Sequence, residues 1–294
     1  MMTARQIKKT KEGLSFAAKT LIGLLFISPI ILGFLFACQT EEELMSVPLH
    51  IIAQNPTIRN FVEVFQKAPL LHYLKNTLIV CVGSIVVQIV IADLAAYGFV
   101  YFNFPGKSLL WMLVLGSMMI PGEVVVITNF ITVQNMGLVN TYLGLMITSF
   151  IGGTSIFMMR QYYMTLPKDY REAAELDGCG DINFLFRIAT PLAIPTIASL
   201  AIYLFVHIYN AYFWPVLVTN KMDMRTIQVG VAYLVTADVV QYSQIMASAI
   251  IAIIPTVIAY IFGQDYIIKG RTSGGVKGEV PRHFQLYKTK QFVL

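Results

Sequence analysis

Ionisable side chains inside long apolar runs are costly to bury, so each one is a candidate for function. Asp93, Glu123 and His207 stand in such runs, and Asp265 lies near the end of another. Two chemistries suit them. Carboxylates at Asp93 and Glu123 could carry protons in an ion-coupled exchange, or the polar groups could line a path for a hydrophilic solute. Glu123 follows Pro121 and Gly122, a pair expected to break a helix, and freed backbone groups are tolerable at membrane depth where they line a cavity or are covered by protein. His207 and Asn210 fall at i, i+3 with Trp214 one turn beyond, a set able to hydrogen-bond and stack on a sugar-like ligand. Each also has a plainer reading. Glu123 could serve a helix-packing hydrogen bond and Asp93 a packing or inter-subunit contact on an Ala-rich helix, while Trp214 could anchor at the membrane edge.

Other chemistry is missing from the sequence. A P-loop needs G-x-x-x-x-G-K-[S/T] so that backbone amides cradle phosphates. The nearest string runs from Gly270 through Gly275 to Lys277, but Val276 splits the Gly-Lys pair and Gly278 replaces Ser/Thr. The three cysteines, Cys38, Cys81 and Cys179, are an odd number without C-x-x-C spacing, so they imply neither a disulfide framework nor a zinc site. No metal-binding cluster, Ser-His-Asp set or cofactor loop stands out, and the chain is not read as an enzyme.

The elements that must position these residues are set by composition. Hydrophobic residues make up 56% of the 294, mean hydropathy is +0.68, and 13% are charged, against about 25% in an ordinary soluble chain. Lipid is therefore the solvent expected for much of the surface. Six runs reach the roughly 20 residues that carry a helix across a hydrocarbon core of about 30 Å: 17–37, 76–101, 109–131, 141–160, 195–214 and 244–264. They are continuously apolar rather than alternating, which favours helices over a barrel. An all-α, polytopic membrane protein with six transmembrane helices is the fold class expected.

Orientation follows the basic residues. With the N-terminus inside, sixteen of the 21 Lys and Arg fall on the cytoplasmic side, leaving Arg59, Lys67, Lys75, Lys221 and Arg225 outside. The net charge of +5 then reflects topology and anionic lipid, and no nucleic-acid partner is implied. The organisation expected is a cytoplasmic N-terminus at 1–16, a six-helix membrane domain at 17–278 and a cytoplasmic tail at 279–294. The run ending in Leu35-Phe36-Ala37-Cys38 resembles a lipoprotein signal, but Phe36 is bulky for that site and removal would leave five spans. It is read as an uncleaved first span.

The two longest segments between spans carry patterns of their own. From about 39 to 75 the chain carries the acidic run Glu41-Glu42-Glu43, read as a solvated face. After Pro56, Ile58, Phe61, Val62 and Phe65 fall at helical spacing, as in a helix lying on the membrane or on a neighbouring span. The loop 161–194 is the longest on the cytoplasmic side. Pro167 is placed at N1 of a helix whose early turns hold Asp169, Glu172 and Glu175, where carboxylates favour the dipole. Gly178 is expected to end it in a left-handed cap. Phe184, Phe186 and Ile188 mark a second short helix, stopped by Pro191 and Pro195. A loop that only joins two spans needs few residues, so this one is expected to touch a partner.

The run EAAELDGCGDINFLFRIATPLAIP, 172–195, resembles the EAA motif of ABC-importer permeases: E-A-A-x-x-D-G, a spacer, then I-x-x-P-L-x-x-P. Glu172, Ala173, Ala174, Asp177, Gly178, Ile188, Pro191, Leu192 and Pro195 fit it. Further stretches, among them Leu94-Ala95-Ala96-Tyr97 with Phe104-Pro105-Gly106-Lys107, Ile120-Pro121-Gly122-Glu123 and Trp214-Pro215, extend the likeness over most of 15–278. The chain is similar to the second permease subunit of carbohydrate importers of the maltose and glycerol-phosphate type. Arg271 and Asp265 depart from that pattern, and 16 residues follow Gly278.

The resemblance implies a coupling role for the loop, which would dock on a cytoplasmic ATPase. Glu172 would meet a basic residue there, although the same carboxylate also suits its own helix dipole. It further implies a second homologous permease, two ABC ATPases that hold the ATP and Mg, and an extracytoplasmic solute-binding protein. A sugar-like substrate, alternating access and a bacterial or archaeal cell membrane are implied in the same way. The rival reading is an ion-coupled secondary transporter using Asp93 and Glu123.

Overall fold

The computed structural model describes residues 4–236 and 241–272, and among them every regular element is a helix. The expected tail at 279–294 lies outside the described residues. Helix α1 (Ala4–Ala37) contains the first expected span. Helices α2 (Glu41–Leu44) and α3 (Arg59–Lys67) occupy the segment that follows. The second span is α4 (Leu70–Tyr101), 32 residues long. At 1.5 Å per residue it measures about 48 Å, longer than a hydrocarbon core of about 30 Å is thick.

The third expected span is not one straight helix. Helices α5 (Lys107–Ser117) and α6 (Gly122–Asn135) meet at a bend of 101°. Pro121 precedes α6 in extended conformation, and its missing N–H and fixed φ end the continuity. The fourth span pairs α7 (Tyr142–Met146), with the 3-10 turn after it, and α8 (Gly153–Tyr163), bent by 50°. Gly152 sits at that break because a Cβ there would run into the side-chain amide of Gln88, which donates to Ser155 Oγ at 2.8 Å.

The loop 161–194 holds α9 (Asp169–Leu176), α10 (Asp181–Phe184) and α11 (Thr190–Leu192). A 72° bend then leads into the fifth span, α12 (Ile194–Tyr209). Helices α13 (Phe213–Val218) and α14 (Ile227–Thr236) follow, and α15 (Tyr242–Thr272) carries the sixth span. Among the described residues three helices are long and apolar enough to cross a membrane alone, and up to six spans result when each bent pair counts as one.

The chain divides into two compact units. The first takes the residues up to Ile79, Val139–Tyr142 and Tyr209–Val257. It is stapled by polar side chains. Asn60, 5% exposed, donates to the carbonyls of Ala37 and Gln39 at 2.8 and 2.7 Å. The Asn76 amide donates to the carbonyls of Asp223 and Arg225, and its oxygen accepts from Tyr142 Oη at 2.6 Å. The acidic run is more than a solvated face. Glu41 accepts from the backbone N–H of Tyr242 and Ser243 at 3.1 and 3.0 Å, capping the orphan donors that open α15. Helix α3 forms where expected, but Asn60 and Val64 face inward while Ile58, Val62 and Phe65 are exposed.

The second unit takes Val80–Leu138, Leu143–Ile208 and the residues from Ile258 onward. Its core includes a cluster of rings. Tyr97 meets Tyr101, Tyr163 and Phe184 with centroids 4.8, 6.4 and 6.3 Å away.

Candidate functional site

The loop 161–194 lies wholly in the second unit. Its first helix begins at Asp169, two residues after Pro167, whose carbonyl accepts from Tyr170 N–H at 3.3 Å. Proline thus sits just ahead of the helix rather than at N1, because an extra turn closed by that carbonyl precedes the first helical residue. Asp169 and Glu172 occupy the first turn, where they offset the helix dipole.

The end of α9 is a Schellman motif. Gly178 N–H donates to Glu175 O at 3.0 Å and Cys179 N–H to Ala174 O at 2.8 Å, with Gly178 at φ +73°. Residues with a Cβ rarely adopt that conformation, although no atom crowds the position. The second helical run does not stop at Pro191. It passes through a π-turn at Leu185–Ala189 and continues to Leu192, ending at Ala193. The wider turn accommodates a proline that offers no N–H to the residues before it. Pro195 falls in the first turn of α12, where a missing N–H costs little.

The loop has two faces. Outward stand Glu172, Ala173, Leu176 (90% exposed), Ile182 (74%) and Phe186 (54%). Inward lie Ala174, Phe184, Leu185 and Ala189, all buried. Of the paired alanines, therefore, only Ala173 is open to a partner, and the small size of Ala174 serves the chain's own packing. Asp177, Gly178 and Pro191 are exposed and Ile188 is half-buried.

Arg171 holds the loop together. It pairs with Glu175 at 2.6 Å and with the carboxylate of Asp181, donates to Tyr97 Oη at 2.8 Å, and lies over the Phe184 ring at 5.0 Å. Burial pulls its guanidinium down, but the hydrogen bonds to Asp181 and Glu175 outweigh this and hold it above its ordinary value. Beside it opens a cleft of about 390 Å³ lined by Tyr101, Tyr163, Lys168, Arg171 and Glu172 among others. Sequence reasoning passed over Arg171. The signal was its spacing of four from Glu175 on a helix of known register.

Among the other candidates, Asp93 is buried and accepts hydrogen bonds from Tyr163 and from Thr190, the latter at 2.7 Å. The structure thus joins Asp93 to the loop. Glu123 is exposed in the first turn of α6, directly after the 101° break. His207 is exposed near the end of α12, its ring parallel to Tyr203 with centroids 6.3 Å apart. Asn210 and Trp214 do not continue that helix. It ends at Tyr209, Asn210 accepts from Gln228 at 3.3 Å, and Trp214 belongs to the short α13. Pro215 would lack the N–H and clash with the carbonyl of Ala211 in an unbroken helix.

Helices apolar enough to span a membrane, joined in part by the structured loop 161–194, define a polytopic, all-helical membrane protein. The chain belongs to the family described as binding-protein-dependent transport system inner membrane component, which matches residues 72–272. It is 31% identical to the arabinooligosaccharides transport system permease protein AraQ of Halalkalibacterium halodurans, over 87% of this chain and 93% of that one. It is 29% identical to the sn-glycerol-3-phosphate transport system permease protein UgpE of Yersinia enterocolitica, over 84% and 91%. Its fold matches a chain in the crystal structure of a bacterial ABC transporter that imports the acidic polysaccharide alginate. There the TM-score is 0.77 at 18% identity, covering 90% of this chain and 99% of that one.

Proposed function

We propose that this chain is one permease of an ATP-driven importer for a sugar or sugar-like solute, worked from the cytoplasm through the exposed face of the loop 161–194. The observation that carries this reading is the loop's geometry. A Schellman turn at Gly178 sets two helical segments so that Glu172, Leu176, Ile182 and Phe186 stay uncovered, while the other side is packed into the chain's own core. An apolar patch edged by a carboxylate suits a groove on another protein that offers a basic residue.

The energy source is a separate polypeptide, since this sequence contains no P-loop. Two cytoplasmic ABC ATPases would hold ATP and Mg, and a second homologous permease would supply the other coupling loop. Both termini would be cytoplasmic, in keeping with the distribution of Lys and Arg. A solute-binding protein would deliver cargo from outside. The relatives' cargoes, arabinooligosaccharides and glycerol 3-phosphate, and the alginate of the structural neighbour suggest a hydrophilic carbohydrate or its phosphate. Glu123, His207, Asn210 and Trp214 are the pathway candidates.

Gly178→Arg tests the reading. The variant is expected in the membrane at normal abundance, but affinity purification should lose the ATPase. Uptake of arabinooligosaccharide or glycerol 3-phosphate, whichever the intact importer takes, should fall by about a hundredfold, equivalent to roughly 2.7 kcal/mol of lost coupling. Normal ATPase retention and uptake in that variant would refute it. An ion-coupled carrier would instead lose uptake when the proton gradient collapses and keep it without ATP hydrolysis.

A further inference from the structure

The exposed face of the loop has a counterpart on its inner side. Asp93 lies in α4 and is 4% exposed. Each of its carboxylate oxygens takes one hydroxyl donor: Tyr163 at the end of α8 on Oδ1, and Thr190 of α11 on Oδ2 at 2.7 Å. One turn further along the same face of α4, Tyr97 Oη accepts from Arg171 of α9 at 2.8 Å and donates to the carbonyl of Asp181 of α10 at 3.2 Å. Phe184, 1% exposed, fills the space beside them. A single face of α4 therefore holds all three short helices of the loop.

The ties are placed where the loop could flex. The Arg171–Asp181 pair closes across the glycine turn at Gly178. Just ahead of the 72° bend at Ala193, Thr190 is held by Asp93, and the carbonyl of Leu192 accepts from Tyr162 Oη at 2.5 Å. Left free, these two points would act as hinges and absorb a push on the exposed face. Bridged, they make the loop and α4 one lever. Resting on the reading that an ATPase pushes on the exposed face, we infer that Asp93 and Arg171 are positioning residues that lock the loop to α4, so that the push is carried into the membrane span.

The test uses the importer purified with its own partner subunits through a tag on this chain, in a background free of native cysteines. Spin labels on Leu94→Cys in α4 and Asn183→Cys in α10, both exposed, report the separation of span and loop. In the otherwise wild-type chain, trapping with ATP and vanadate should leave one narrow distance distribution unchanged. In Thr190→Val, which removes one hydroxyl at nearly constant volume, and in Asp93→Asn, trapping should broaden or shift it. Thr190→Ser should restore the narrow distribution, which a purely steric role for Thr190 would not predict. ATPase retention should stay at the wild-type level in all three variants. The inference fails if the ATPase is retained and the distance in Thr190→Val and Asp93→Asn behaves as in wild type, or if the wild-type distance itself changes on trapping. A wild-type preparation that carries no ATPase overturns both this inference and the docking reading beneath it.

Discussion

Of the stretches outside the spans that fold into short helices, 38–69 in the first unit and 161–193 in the second are pinned in different ways. In the first, polar side chains converge on two helix ends, the end of α1 and the first turn of α15. Glu41 caps the start of α15, Asn60 binds the carbonyls of Ala37 and Gln39, and Glu63 accepts from Gln244 at 2.5 Å. In the second, Arg171, Asp181 and Thr190 all return to one face of α4. Ties to helix ends satisfy the orphan donors and acceptors there and fix a segment against its surroundings. Ties along the side of a span do something more, because they turn a loop and a span into a single body that can pass on a force. The contrast suggests that the first stretch is fastened for stability and the second for load.

The largest effect that would sharpen this contrast comes from splitting the loop's own faces. Phe184→Ala empties a buried site and should cost about 3–5 kcal/mol, seen as a lowered thermal unfolding midpoint of the purified chain in detergent. Phe186→Ala, on the exposed face, should change stability by less than about 0.5 kcal/mol yet weaken ATPase retention. Equal melting of the two variants would break the division into inner and outer faces.

The next effect falls in the first stretch. Asn60→Leu leaves the carbonyls of Ala37 and Gln39 without their donor and should cost about 1–3 kcal/mol in the same melt. ATPase retention should be untouched, and a loss there would show that the stretch 38–69 takes part in coupling. The smallest effect is expected from Glu41→Gln. It weakens the charge at the start of α15 by about 0.3–1 kcal/mol, a small shift in the midpoint that should shrink further at high salt.

Much of the loop was legible because its signals are local. Gly178 announces a left-handed cap, Asp169 and Glu172 a helix start, and Phe184 and Phe186 a second helix, each decided by its own neighbours in the chain. The π-turn at Leu185–Ala189 was not legible, since proline spacing alone does not say whether a helix stops or widens. The break after Tyr209 could have been found from Pro215, which cannot sit in the middle of a continuous helix. The Glu41 cap and the inward turn of Asn60 depend on partners such as Ser243, about 200 residues away for Glu41, which no local pattern encodes. Asp93 was recognised as anomalous from burial cost alone, but its joining of α4 to the loop appears only when Thr190 and Tyr163 are brought to it.

On the proposed function, the exposed face of the loop 161–194 meets an ATPase. Photo-crosslinking of the intact importer in its native membrane tests it most directly, with a photoreactive amino acid at Leu176, 90% exposed, and in a parallel variant at Val47, 97% exposed. The probe at Leu176 should be captured by the ATPase subunit and the probe at Val47 should not. Capture of the ATPase from Val47, or its absence at Leu176 while the complex remains assembled, would contradict it.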